Sequence, residues 1–524
     1  MTATGDARRH LDLRLVPAAL TGWAVTAAGI MWHGAAPLVL LGCVASCAAV
    51  ACWAGDEASV GAALRRGAGG VLAVAVLGAA FTVAVTVRSQ QVRAHPITML
   101  YGTEATVTVT PSDSPRSVGG RLMFRGALQE LDGGESSGRV VVFASASRFG
   151  GLSAGRPATF RAEVSRPIRR DLTVATLSAT GEPTLGAAPR VQRMAEAVRT
   201  GYAEAARGVL PADQAAMLPA LVLGDTSTVP ATTVSDFRSA GLTHLTAVSG
   251  ANVTIVCGAV LLSAGLIGPR AAALLAACAL AAFVIVVQPS ASVLRAAVMG
   301  AVTLVAVLSH RRRQAIPALS ASVLLLLVAA PELAVDAGFA LSVTATAGLV
   351  VIAPVWSARL TGRGWPKPLA DAVAVAVAAQ LVTAPLVAAI SGTVSLVGIA
   401  ANLAVAAVIP PITVVGTAAA ALCPLWPAGA GMLIRFTGPQ LWWLLRVAAW
   451  AAAVPGAVLP VPSGWTGLAA VTVSGGVVVA LWRRRWVRVT AACAAVCLLA
   501  WAVSGHIDEA LRVAMSARRD TIGG

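Results

Sequence analysis

The sequence predicts a polytopic α-helical membrane protein of about 13 spans that carries one inserted β-barrel domain. Three observations carry that class. The chain of 524 residues is 57% hydrophobic and 12% charged, with a mean hydropathy of +0.79, well outside ordinary soluble composition. Its apolar residues gather in runs near the ~20 residues that a spanning helix needs. Between 88 and 190 those runs give way to polar, alternating sequence broken by turn residues, the pattern of short strands.

Three apolar runs, at 13–32, 37–53 and 70–87, form an amino-terminal membrane segment over 1–87. The first imitates a secretory signal, but a second run follows within a few residues, so a retained anchor is expected. In the segment 88–190, strands are expected at 105–110, 121–125, 139–143, 158–164 and 172–176, with turns at Asp132-Gly-Gly and Ser136-Ser-Gly. Five strands in this length suit a small barrel such as an OB-fold, a sandwich being the other arrangement. Residues 191–240 read as linker helices, the first over 191–209.

Over 241–504 the membrane returns. Spans are expected near 244–266, 271–287, 292–308, 315–330, 338–356, 371–390, 396–422, 430–454, 464–482 and 487–504, with a tail at 505–524. The net charge of +16 is almost all arginine, Lys367 being the only lysine. Basic clusters fall at Arg8-Arg9, Arg65-Arg66, Arg270, Arg311 to Arg313, Arg359/Arg363/Lys367, Arg435 and Arg483 to Arg485. With a cytoplasmic amino terminus these spans put every cluster on the cytoplasmic side, and the β-domain and tail outside. Arg512, Arg518 and Arg519 count against the tail's placement. Most of the charge is therefore the bias that orients spans, rather than attraction for a polyanion.

The segment from Arg88 to Val209 holds sixteen arginines against ten acidic residues, a net +6. An external basic barrel can bind single-stranded nucleic acid by joining a positive groove to stacking rings. Arg121, Arg125, Arg148 and Phe149 are the DNA-binding candidates; Tyr101, Phe124, Phe143 and Phe160 are further rings. Most of the phenylalanines are expected to fill the barrel, with Phe149, between Arg148 and Gly150, expected on a loop. The eight cysteines lie within or beside apolar runs, with no C-x-x-C spacing, and the 43/47 and 493/497 pairs read as packing residues. Neither a cofactor nor a metal site is expected.

The most informative stretch is 241–253, Gly-Leu-Thr-His-Leu-Thr-Ala-Val-Ser-Gly-Ala-Asn-Val, which sets His244, Ser249, Gly250 and Asn252 at the head of an apolar run. Polar groups at bilayer depth are costly unless they face protein or water. Together with Leu221-Val-Leu-Gly-Asp225, Phe237, the run 289–299 around Arg295, the run 336–346 that begins at Asp336, and Asn402, this block resembles the ComEC family of competence proteins. The order of parts is similar too, and the resemblance covers essentially the whole chain. It implies an inner-membrane channel that takes up single-stranded DNA during transformation, in a multi-pass protein of the cytoplasmic membrane. It also implies partners: single-stranded DNA, a cytoplasmic helicase or DNA-binding protein, a membrane DNA receptor, and membrane lipid.

Two departures from the family pattern stand out. Many members carry a metallo-β-lactamase-like nuclease domain, whose chemistry needs clustered His and Asp ligands. The six histidines here (10, 33, 95, 244, 310 and 506) include no His-x-His-x-Asp-His cluster, so a member without that domain is expected, with any nuclease on a separate polypeptide. Ala251 and Asn252 stand where other members often have Leu and His. No P-loop motif is present either, so energy must come from a partner.

The pore and gate candidates are His244, Ser249, Gly250, Asn252, Arg295, Asp336, Gln380 and Asn402, with Gln288 as a further polar lining residue. Arg295 either meets a phosphate or pairs with Asp336. The ion pair is the expected resting role, because an unpaired buried arginine costs several kcal/mol. His244 and Ser249 invite a hydrolase reading, but five residues separate them by about 140° on a straight helix. No enzyme activity is expected, and a kink at Ser249-Gly250 fits better. The rival readings are a transporter of another polyanion on the same scaffold and, less favoured, the His244/Ser249 hydrolase.

Overall fold

The computed structural model describes residues 12–32, 34–53, 60–113, 115–246, 248, 250–287, 291–308 and 315–481. They are mostly helical and divide into two compact units, one of residues 1–229, 245–350 and 410–438, the other of 230–244, 351–409 and 439–524.

In the first unit, the Val16–Met31 helix packs on the Ala35–Trp53, Val60–Arg93 and Ala315–Ala329 helices. Small residues set that spacing. Gly22 and Gly29, one heptad apart, face Phe81 and Val85, and a Cβ on Gly29 would lie 2.6 Å from Val85 Cγ1. Trp23 meets Phe339 edge-on at 5.4 Å between centroids, while its Nε1–H donates to the Ala334 carbonyl at 2.8 Å.

The inserted domain is a five-stranded barrel with a short sixth strand. Its strands are β1 (Glu104–Pro111), β2 (Arg116–Val118), β3 (Arg121–Leu131), β4 (Gly134–Ser145), β5 (Ala158–Ser165) and β6 (Ala175–Leu185). They pair in the order β1-β5-β6-β4-β3, closed by β1–β3, with β2 on the outer edge of β3. The β4–β6 pair is parallel and the others antiparallel. Burial alternates along β1 and β5, so one face of each strand fills the interior with Val107, Val109, Phe160 and Val164.

The Asp132-Gly133 hairpin turn has φ of 48° and 82°, the positive pair that a two-residue type I′ turn requires. The Ser136-Ser-Gly138 segment, expected as a turn, lies inside β4 instead. An irregularity opposite, between Leu128 and Glu130, absorbs the register change and lets the strand run through.

The 191–209 expectation matches the Arg190–Val209 helix, whose buried stripe is Ala195, Arg199, Tyr202 and Ala206. In the Ala212–Leu223 helix every residue from Gln214 to Leu223 is buried.

In the second unit, the Lys367–Ser391 helix packs on Ala353–Thr361 and on Gly464–Leu481. Two short strands, β7 (Thr393–Ser395) and β8 (Val458–Pro460), pair antiparallel beside it. Gly467 is set by the turn before its helix, since a Cβ there would overlap the Pro462 carbonyl oxygen.

Among the described residues five helices are long and apolar enough to cross a membrane: Gly69–Leu100, Arg270–Val287, Ala337–Thr361, Lys367–Ser391 and Gly464–Leu481. Gly398–Val405 with Ile409–Leu422 makes a sixth if taken as one broken span, and six shorter apolar helices accompany them. The expected span at 487–504 lies outside the described residues. Three expected spans, 338–356, 396–422 and 430–454, are each divided between two helices with a proline at each division, the first still counting among the five long helices and the second being the broken pair. The second halves Ala353–Thr361, Ile409–Leu422 and Gly438–Ala453 carry Pro354, Pro410-Pro411 and Pro439 in their first turns, where a missing N–H costs nothing.

Candidate functional site

The residues of the 221–225, 250–253, 292–299 and 336–346 segments meet in the first unit around Arg295. This arginine sits one turn into the Ala291–Leu308 helix and is 4% exposed. Its Nε and Nη2 both donate to Ser342 Oγ, at 2.9 and 2.6 Å, and Nη1 lies 3.1 Å from Met299 Sδ. Ser292 Oγ completes the cluster, 3.1 Å from Ser342 Oγ.

Gly250 begins the Gly250–Ser263 helix against this group. A Cβ there would stand 3.1 Å from Arg295 Nη2 and 3.4 Å from Ala296 Cβ, so the guanidinium uses the space that glycine leaves. Two positions on, buried Asn252 donates through Nδ2 to the Leu221 carbonyl at 3.0 Å. That bond ties the helix to the end of Ala212–Leu223, where Gly224 adopts φ 76° as the left-handed terminator.

Asp336 takes no part in this cluster, which corrects the expected Arg295–Asp336 ion pair. Its Oδ1 accepts the Phe339 N–H at 2.8 Å and so caps the Ala337–Val351 helix. Its Oδ2 lies 3.8 Å from Arg125 Nη1 of β3. A neighbouring pair, Arg139 of β4 with Glu332, joins barrel and helices in the same way. Capping and the barrel arginine together account for both oxygens of Asp336. Among the described residues no carboxylate stands within ion-pair distance of Arg295.

In the second unit a separate polar group forms around Gly241. Its φ of 71° favours glycine, and a Cβ would lie 3.0 Å from Gly398 Cα. Ser395 Oγ donates to the Ser239 carbonyl at 2.8 Å, and Gln380 Nε2 to the Ser395 carbonyl at 3.3 Å. Asn402 Nδ2 donates to Gly398 O at 2.8 Å and reaches Gly241 O at 3.5 Å. His244 is exposed in the Thr243–Leu245 turn. Ser249 and Gln288 lie outside the described residues.

On the barrel, Arg121 and Arg148 are exposed, and Arg121 lies 6.0 Å over the Phe143 ring. Phe149 is the second correction: it is 1% exposed and edge-on to Phe160 at 5.3 Å. The Ala146–Phe149 helix turns it inward to plug the barrel, so its face is not free to stack a base.

Ser342, the main partner of Arg295, and Ser395 were missed from sequence. A serine six residues after Asp336 in an otherwise apolar helix was the available signal.

The family model described as Competence protein matches residues 221–486, slightly more than half of the chain. No curated protein and no solved structure matches it. The match takes in the Arg295 cluster and the Gly241 group but not the barrel, and on it the chain belongs to the competence protein family.

Proposed function

We propose that this protein is a ComEC-type channel that carries single-stranded DNA across the cytoplasmic membrane during natural transformation. The observation that carries the reading is Arg295. A buried guanidinium held by neutral acceptors, with no carboxylate among the described residues, keeps its positive potential for a passing phosphate. One such cation, rather than a ring of them, attracts a polyanion without stalling it.

The barrel supports a receiving role. Its strand order and parallel β4–β6 pair fit an OB-fold, and exposed Arg121 and Arg148 offer phosphate contacts. In this reading the amino terminus is cytoplasmic, the barrel is outside, and about 13 spans surround the path. A cytoplasmic helicase or DNA-binding protein pulls the strand, a membrane DNA receptor delivers it, and a separate nuclease removes its complement. His244 then serves position and gating rather than catalysis.

The test is uptake of labelled single-stranded DNA by a deletion strain carrying the gene or its Arg295→Ala variant. Uptake restored by the gene and lost with the variant at equal protein level supports the channel. Equal uptake with both removes Arg295 from the path, and no restoration by the gene removes the channel reading.

A further inference from the structure

We propose that residues 166–172 of the loop joining β5 to β6 are an anchor that inserts Ile168 into the lipid surface and grips anionic headgroups through Arg166 and Arg169. The loop reads Arg-Pro-Ile-Arg-Arg-Asp-Leu, three arginines against one acid. It is fixed at both ends, and one of its anchors is the end of an apolar helix. Arg170 Nη1 donates to the Met31 carbonyl at 2.9 Å, at the last turn of the apolar Val16–Met31 helix. Leu172 packs into the cluster that holds Ile30 and Phe339, and holds a φ of 64° to do so. A branched-chain residue in that left-handed conformation is strained, so docking on the helices over-determines this backbone.

The other end is set by Tyr101, whose Oη donates to the Val174 carbonyl at 2.7 Å while Arg166 lies 5.8 Å over its ring. Tyr101 itself closes the Pro96–Leu100 turn that follows the Val60–Arg93 helix.

Between these fixed ends Ile168 has nothing to cover it and is 85% exposed. Met99, in the turn that leaves the membrane helix, is 89% exposed, and Trp32, next to Met31, is 51% exposed. Bare aliphatic tips among arginines, with a Trp and a Tyr at the same helix ends, match the chemistry of the membrane–water interface. A nucleic acid strand fits worse, because Ile168 offers no ring for a base to stack on. An anionic leaflet satisfies both the apolar tip and the guanidinium pair. The inference rests on the membrane reading of the chain and not on DNA transport.

The experiment places photoreactive benzoylphenylalanine at position 168 of the full-length protein, in vesicles of phosphatidylglycerol with phosphatidylethanolamine or of phosphatidylcholine alone. Exposed Ser147 of the Ala146–Phe149 helix is the control site. Lipid adducts at 168 and not at 147, with a yield in anionic vesicles that falls roughly fivefold for each of Arg166→Gln and Arg169→Gln, support the anchor. The anchor is overturned by an absence of lipid adduct at 168, by equal yields in both vesicles, or by transfer of the label to an added single-stranded oligonucleotide. Since no uptake is measured, a failed anchor leaves the channel reading to its own test.

Discussion

Arg295 spends two of its donors on one oxygen: Nε and Nη2 both reach Ser342 Oγ, 47 residues away in the chain. A hydroxyl has two lone pairs and no charge, so this contact satisfies geometry without neutralising the cation.

Two substitutions therefore separate in opposite senses. Arg295→Ala removes a buried charge and its desolvation cost, so thermal stability in detergent is expected to hold or rise while DNA uptake falls at least tenfold. Ser342→Ala leaves the cation buried without its acceptor and is expected to cost about 1–3 kcal/mol of stability. Melting curves beside uptake assays read both. A large destabilisation by Arg295→Ala would mean that the arginine is a structural brace.

Gly250→Ala is informative because it tests the space that the guanidinium uses. Gly250 is the first residue of its helix, where alanine gains little over glycine, and the alanine Cβ would press on Arg295 Nη2 at 3.1 Å. Lower uptake with little change in stability is the expected result. Gly250→Val should deepen the loss. Wild-type uptake for the valine variant would show that the guanidinium can move aside freely.

The sequence exposed some of this and hid the rest for physical reasons. Hydropathy revealed the helices because each must shed its polar groups over a bilayer's thickness, and alternation revealed the barrel. The splits before Pro354, Pro410 and Pro439 were present as residues but masked by unbroken apolar runs. The Arg295 partner was not legible, since charge logic favours Asp336 and nothing local says that the Phe339 amide and Arg125 already occupy it. Phe149 misled because its neighbours look loop-like, while its side chain closes the barrel.

Asp336 holds two jobs that one substitution divides. Asn keeps the cap on the Phe339 amide but loses the charge facing Arg125, whereas Ala loses both. Asp336→Asn is expected to stay within about 0.5 kcal/mol of the parent, as for a partly exposed ion pair. Asp336→Ala should lose about 1 kcal/mol more through the cap. Thermal melts of the two variants at low and high salt decide it; equal losses for Asn and Ala would give the whole effect to the charge.

His95 links the membrane helix to the barrel and predicts a pH dependence. Its Nδ1 accepts the Ile97 N–H at 3.2 Å, and its Nε2 lies 3.2 Å from Ser136 Oγ. Burial pushes its pKa below the usual 6.5, partly opposed by a hydrogen bond to the Ser137 backbone. The neutral ring is the one the fold prefers, so its contribution is complete above pH 6.5 and is lost as pH falls below it. Protection of the 96–100 backbone against hydrogen exchange in the full protein, referred to the intrinsic rate at each pH, should fall as pH drops below 6.5. His95→Asn, which can still cap Ile97, should flatten that change; an unaltered profile would place the titration elsewhere.

The barrel makes the last prediction, which separates surface charge from core packing. Arg121 and Arg148 are exposed while Phe149 is buried against Phe160. Arg148→Ala should leave stability within about 0.5 kcal/mol. It should also weaken single-strand binding by the full-length protein and reduce the slope of log K against log salt by about 0.7, one phosphate contact. Arg121→Ala should do the same. Phe149→Ala should instead cost the barrel about 3–5 kcal/mol through the cavity it opens, leaving the salt slope of the folded fraction intact. Salt-titrated binding beside melting curves tests all three, and a salt slope changed by Phe149→Ala alone would return that ring to the nucleic-acid surface.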